Sequence, residues 1–145
     1  MLRKILLVLI PLFIIMQFYR IDKTNPPVDV KQDFVATIQP PATMTKMLKE
    51  ACYDCHSHET EYPWYTEVMP FSKWILGHII EGRKELNFSA WTSYPADEKK
   101  HLLKECAEVL VEKRMPLTPY LITHSEARIT KEQRKELADW FESIK

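Results

Sequence analysis

Cys52-Tyr53-Asp54-Cys55-His56 is the stretch from which the rest of this chain is read. Two thiols three residues apart, with an imidazole directly after the second, make C-x-x-C-H, the attachment pattern of a c-type haem. Residues i and i+3 share a face of a helical turn, so Cys52 and Cys55 can grip one edge of a flat macrocycle through thioethers to its vinyl groups. His56 then projects its ring as the proximal iron ligand. A chain built on this motif must provide a pocket, and must either supply or withhold a sixth ligand.

Outward from the motif, the apolar pattern is helical. Met44, Met47, Leu48, Ala51, Cys52 and Cys55 recur at i, i+3, i+4, i+7, i+8 and i+11, an amphipathic helix that ends in the motif, with Thr43 as its N-cap. Residues 58–69 carry Tyr62, Pro63, Trp64 and Tyr65, which read as an irregular loop laid over a macrocycle or filling core. A second helix is expected over residues 70–84, burying Phe71, Trp74, Ile75, His78, Ile79 and Gly82. Residues 86–94 read as a loop. A third helix over 97–114 opens on Asp97 and Glu98 and closes on Lys113 and Arg114, as the helix dipole prefers. Met115-Pro116-Leu117-Thr118-Pro119-Tyr120 cannot continue it. A last helix starts at the capping box Thr130-Lys131-Glu132-Gln133 and buries Leu137, Trp140, Phe141 and Ile144. No strand alternation of any length is present, so the expected class is all-α.

Before the motif lie two segments of different character. Arg3 and Lys4 precede an apolar run over residues 5–18, broken by Pro11 and Gln17, with no small-x-small cleavage site after it. At ~1.5 Å per residue the run reaches about 21 Å against a bilayer core of ~30 Å, and Leu2 and Tyr19 extend it. Residues 1–20 therefore read as an uncleaved signal anchor, a membrane-anchor helix crossing the inner membrane once with the rest of the chain on the periplasmic side. The alternative is a cleaved signal and a protein released to the periplasm. Either suits the motif, because covalent haem attachment in bacteria takes place outside the cytoplasm. Residues 21–42, bracketed by proline pairs at 26–27 and 40–41, read as a Pro-rich linker whose 28–38 portion can order against the domain. The haem c-binding domain is then 43–145.

Composition limits the other options. Hydrophobic residues make up 46% of 145 and charged ones 28%, which excludes wholesale disorder. Net charge is zero, but the first twenty residues hold three basic residues and no acid, leaving 17 basic against 20 acidic in the remainder. No basic stripe remains for nucleic acid. Of three cysteines, two belong to the motif. Cys106, among Leu102, Leu103, Val109 and Leu110, reads as a buried apolar residue, and a disulfide framework is excluded.

The sixth ligand decides function. Met115, ahead of a proline in a loop that leads to the last helix, is the first candidate. His78, on an apolar helix face, is the alternative distal ligand. Met69 reads as packing, His58 and His101 as surface, and His124 as a solvated loop residue.

Taken together the sequence resembles the haem-binding domain family of c-type cytochromes, of the Bacteroidetes-type single C-x-x-C-H kind. The resemblance rests on Asn25-Pro26-Pro27-Val28, the motif with Ser57, Pro63-Trp64-Tyr65, Gly82-Arg83, Leu86-Asn87-Phe88-Ser89 with Trp91, Met115-Pro116 with Tyr120, and residues 124–140. It implies a small cytochrome-c-like helical domain around one covalent haem c, with Cys52, Cys55 and His56 as attachment and proximal ligand and Met115 as distal ligand. The resemblance names no redox partner; with the anchor and the ligand candidates, the first expectation is membrane-tethered electron transfer in the periplasm with redox partner proteins, which needs no catalytic residues. A haem enzyme of peroxidase type, or a gas or redox sensor with an open distal site, is the second expectation. Zinc held by the motif with His58 is the third.

Overall fold

The computed structural model describes residues 1–144, and every regular element among them is helical. Eight α-helices follow in order: α1 (Leu2–Met16), α2 (Phe34–Ile38), α3 (Ala42–Ala51), α4 (Tyr53–His56), α5 (Phe71–Glu85), α6 (Ala96–Val111), α7 (Thr118–Thr123) and α8 (Lys131–Ser143). Two 3₁₀ segments, Trp64–Glu67 and Phe88–Ser93, lie in stretches expected to be irregular.

The most extensive helix pair is α6 with α8. α6 contributes Leu102, Leu103, Ala107 and Leu110, and α8 contributes Leu137, Ala138 and Phe141. These are i, i+3/i+4 stripes, so two amphipathic helices close on each other. The capping box that starts α8 is complete: Thr130 Oγ1 accepts from Gln133 N at 3.1 Å, and Gln133 Oε1 accepts from Thr130 N at 2.8 Å. α3 buries Met44, Met47, Leu48 and Ala51, as its periodicity predicts, although its N-cap is Pro41 rather than Thr43.

Three expectations are sharpened. Within the segment read as a linker, the 28–38 portion does order against the domain, and Phe34 enters the core. Phe34 has no exposed surface, and its ring lies 4.8–6.2 Å from those of Phe88, Trp91, Trp140 and Phe141. Buried Asp33 caps α2 at Ala36 N and accepts from Tyr53 Oη at 3.1 Å, tying the segment to the motif helix. Second, α5 buries only part of the expected face. Ile79 is buried and Gly82 meets the motif as expected, and Ser72 is buried as well, while Phe71 and Trp74 are 59% and 48% exposed and His78 is only partly buried. Third, α1 has 15 residues and buries none of them, and among the described residues no helix is long and apolar enough to cross a membrane.

Candidate functional site

The motif is a single turn set at a corner. Cys52 ends α3 and starts α4, with φ −128°, and its carbonyl accepts from both Cys55 N (3.2 Å) and His56 N (3.0 Å). α5 packs directly onto this turn. A Cβ on Gly82 would stand 2.7 Å from the Cys55 carbonyl oxygen, so the approach requires glycine. Arg83, one residue on, closes the exit. Its Nε donates to Ser57 O (2.6 Å), and its Nη2 donates to Asn25 Oδ1 (2.8 Å) and Thr60 Oγ1 (2.9 Å). Arg83 is thus a clamp on the chain around the motif.

Cys52, His56 and Met115 line one cavity of about 230 Å³. Its walls are mostly apolar: Ala51, Leu86, Phe88, Leu102, Val109, Leu110 and Phe141. Cys106 also reaches it, so the third thiol is a cavity residue and not simply a member of the core. The polar groups present are Glu85, Glu105 and Arg114; of these the sequence points only to Arg114, and as a helix-closing cation, while spacing of three from Leu102 and four from Val109 is the signal available for Glu105. Cys55 does not line this wall and is turned toward Gly82. His78 is absent from it too, with its Nδ1 2.9 Å from Trp74 O on its own helix.

His56 is prepared as a ligand. Its Nδ1 is 3.0 Å from the Leu86 carbonyl, which can only accept, so the proton sits on Nδ1 and Nε2 keeps its lone pair. Burial pushes its pKa below the ordinary value, opposed by the Leu86 and Gly82 carbonyls, which favours the neutral ring that a metal needs. Burial raises both motif thiols, Cys52 to about 12 and Cys55 to about 11, and neither is in a disulfide.

Met115 is placed by the way α6 ends. Lys113 takes the left-handed conformation, φ 59°. Its N–H bonds Leu110 O at 3.1 Å, and Arg114 N–H bonds Val109 O at 2.9 Å. This is a Schellman termination built on lysine instead of the glycine that would have announced it. Arg134 of α8 then donates to Leu110 O (3.2 Å) and to the Met115 carbonyl. Backbone on both sides of the turn is held, and the Met115 side chain meets the cavity.

The aromatic loop lies elsewhere. Pro63, Trp64 and Tyr65 line a separate cleft of about 700 Å³ with Tyr53, Asp54, Tyr120 and His124. Tyr120 donates to Asp54 Oδ2 at 2.8 Å and stacks on His124 at 3.9 Å, and Tyr65 Oη lies 3.1 Å from His124 Nε2. His124, expected in solvent, is 12% exposed. These groups brace the outer side of the motif turn. His58 is also held, between Pro27 O (3.1 Å) and Asn87 Nδ2 (2.8 Å), whereas His101 is at the surface as expected.

The donor set fits a haem: an imidazole with Nδ1 satisfied, a thioether residue lining the same apolar cavity, and motif thiols on one turn. It does not fit zinc, because among the described residues no three His, Cys, Asp or Glu side chains come together as a metal site. In comparison with known proteins, the sequence model of a family described as "Haem-binding domain" matches residues 11–143. No curated protein and no solved structure matches the chain.

Proposed function

The chain belongs to the haem-binding domain family, and from that premise we propose that it is a c-type cytochrome acting in electron transfer on the periplasmic side of a membrane. One haem would be held covalently by Cys52 and Cys55, with His56 as proximal ligand and Met115 as distal ligand. The observation that carries this reading is the meeting of Cys52, His56 and Met115 at one apolar cavity, with His56 Nδ1 already engaged by Leu86. When bound, the haem supplies a one-electron couple at its iron.

The chain's own part is positioning. The Leu86 carbonyl fixes the His56 tautomer and ring plane, a partner that metal-bound histidines regularly need. Arg134 and the Lys113 turn hold the Met115 backbone, so little rearranges between oxidation states. Leu102, Leu110, Phe88 and Phe141 exclude water around the site, which together with a thioether ligand raises a reduction potential. The basic start and apolar run of residues 1–18 support export and retention at the membrane, or release after cleavage.

A second reading has one observation in its favour. Glu105 and Arg114 line the same cavity and are the polar groups that a peroxidase-like or gas-sensing distal site would use. Carbon monoxide separates the two. The carrier reading expects a haem that stays on the chain through a denaturing gel, is lost in Cys52→Ala, and in the reduced state binds carbon monoxide only after Met115→Ala. Rapid binding by the unaltered protein would overturn Met115 as ligand and leave the open-site reading standing.

A further inference from the structure

Two unpartnered apolar surfaces of this protein meet at one place. α1 is exposed on every side: Leu6, Leu7, Val8, Leu9 and Ile10, which together circle the helix, are 45–66% exposed. A protein partner covers one face of a helix, whereas a helix apolar all round calls for an apolar surrounding on all sides. Its last turn is fastened to the domain. The Gln17 side chain bonds both backbone groups of Met69, donating to the carbonyl at 3.2 Å and accepting from the N–H at 3.0 Å. Arg20 (3.0 Å) and Lys23 both hold Glu67. Within two residues of this junction lie Phe18 and Tyr19 on one segment, 83% and 57% exposed, and Phe71 on the other, with Trp74 on the next turn of α5.

We propose that Phe18, Tyr19, Phe71 and Trp74 form an aromatic collar that seats the domain directly on a lipid surface, with α1 as the wedge inserted below it. This deepens the membrane location put forward above and rests on it. At ~1.5 Å per residue, α1 reaches about 22 Å, some 8 Å short of a ~30 Å hydrocarbon core, so the collar supplies the missing depth at the level where aromatic rings are favoured. Lys73, exposed next to Trp74 in sequence, adds a cation that anionic headgroups would attract. The two hydrogen bonds of Gln17 make the joint stiff, so the domain sits in one orientation and does not swing on a flexible tether.

The test uses the full haem-loaded chain with vesicles of phosphatidylcholine and phosphatidylglycerol carrying brominated acyl chains, which quench only tryptophan within reach of the lipid. Trp91 packs in the core and Trp140 against it, and Trp64, which is 78% exposed, is replaced by Phe in every chain used so that the exposed emission belongs to Trp74. With the collar unaltered, part of the emission is quenched by the lipid and shielded from aqueous iodide, and Trp74→Phe removes that part. Phe71→Ser with Trp74→Ser lowers the fraction of protein that co-sediments with vesicles. Three results overturn the collar. If the chain sediments with vesicles but Trp74 remains as open to iodide as without them, the membrane location stands and the collar falls. If the chain does not sediment with vesicles at all, both fall. If Trp74 is shielded without lipid and the mass in solution doubles, a second copy is the occupant.

Discussion

Cys106 shares a cavity wall with Cys52 and His56, yet its surroundings make it a poor nucleophile. Burial pushes its thiol above the ordinary 9.0, with Cys52 and Glu105 adding to the shift. Reactive cysteines need the thiolate, and this one is kept protonated. The native haem-loaded protein should therefore resist iodoacetamide at Cys106 at about pH 8 and be labelled there only once unfolded, as read by peptide mass spectrometry. The same shift has a sign in stability. The folded chain holds the proton more tightly than the unfolded one, so the contribution is full below about pH 9 and is lost as pH rises through the folded value. Cys106→Ala should flatten the fall in Tm between about pH 8 and about pH 10.5; a fall as steep as in the parent would show that the thiol titrates normally.

At the scale of elements, the motif turn is held from outside by α5, and the contact depends on one missing atom. A methyl group at Gly82 would meet backbone, the Cys55 carbonyl oxygen at 2.7 Å and its carbon at 3.2 Å, which cannot swing aside as a side chain would. Gly82→Ala should push α5 off α4 and cost about 1–3 kcal/mol, seen as a lower denaturation midpoint, with less covalent haem per chain. An unchanged midpoint would mean that α5 accommodates the shift. The helices themselves were largely legible. α3, α6 and α8 each bury one stripe at the period of a helix, and Thr130 with Gln133 announced the start of α8. In α5 the apolar spacing points inward at Ile79 and Gly82, which the fold bears out, but also at Phe71 and Trp74, which it leaves exposed; where the helix meets the Cys55 backbone at Gly82 there is no room for a ring.

On the scale of the whole molecule, what the sequence hid is long-range. Phe34 lies in a short proline-bracketed stretch with no helical period, and nothing local marks it as the centre of a five-ring aromatic cluster drawn from three parts of the chain. Likewise the motif and Met115 could be picked out by residue type, but the Leu86 carbonyl on His56, and Glu105 and Arg114 in the cavity, come from segments that only the fold brings together. Arg134 is the clearest case. It stands at the start of the buried stripe of α8, three and four residues before Leu137 and Ala138, and burial lowers its pKa; its guanidinium reaches across to the end of α6 and the Met115 carbonyl. Since α6 carries one wall of the cavity, this single side chain couples the α6–α8 pair to the position of the distal candidate. Arg134→Met keeps an aliphatic stem of similar reach and removes the donors, leaving two carbonyls without their charged partner. The expected cost is roughly 1–3 kcal/mol in unfolding free energy. The expected signature at the site is a weaker Met-to-iron band in the oxidised spectrum and faster carbon monoxide binding when reduced, with covalent haem on a denaturing gel unchanged. A loss of stability with neither optical change would confine Arg134 to holding α6 and α8 together and separate the packing of the molecule from the ligation of its iron.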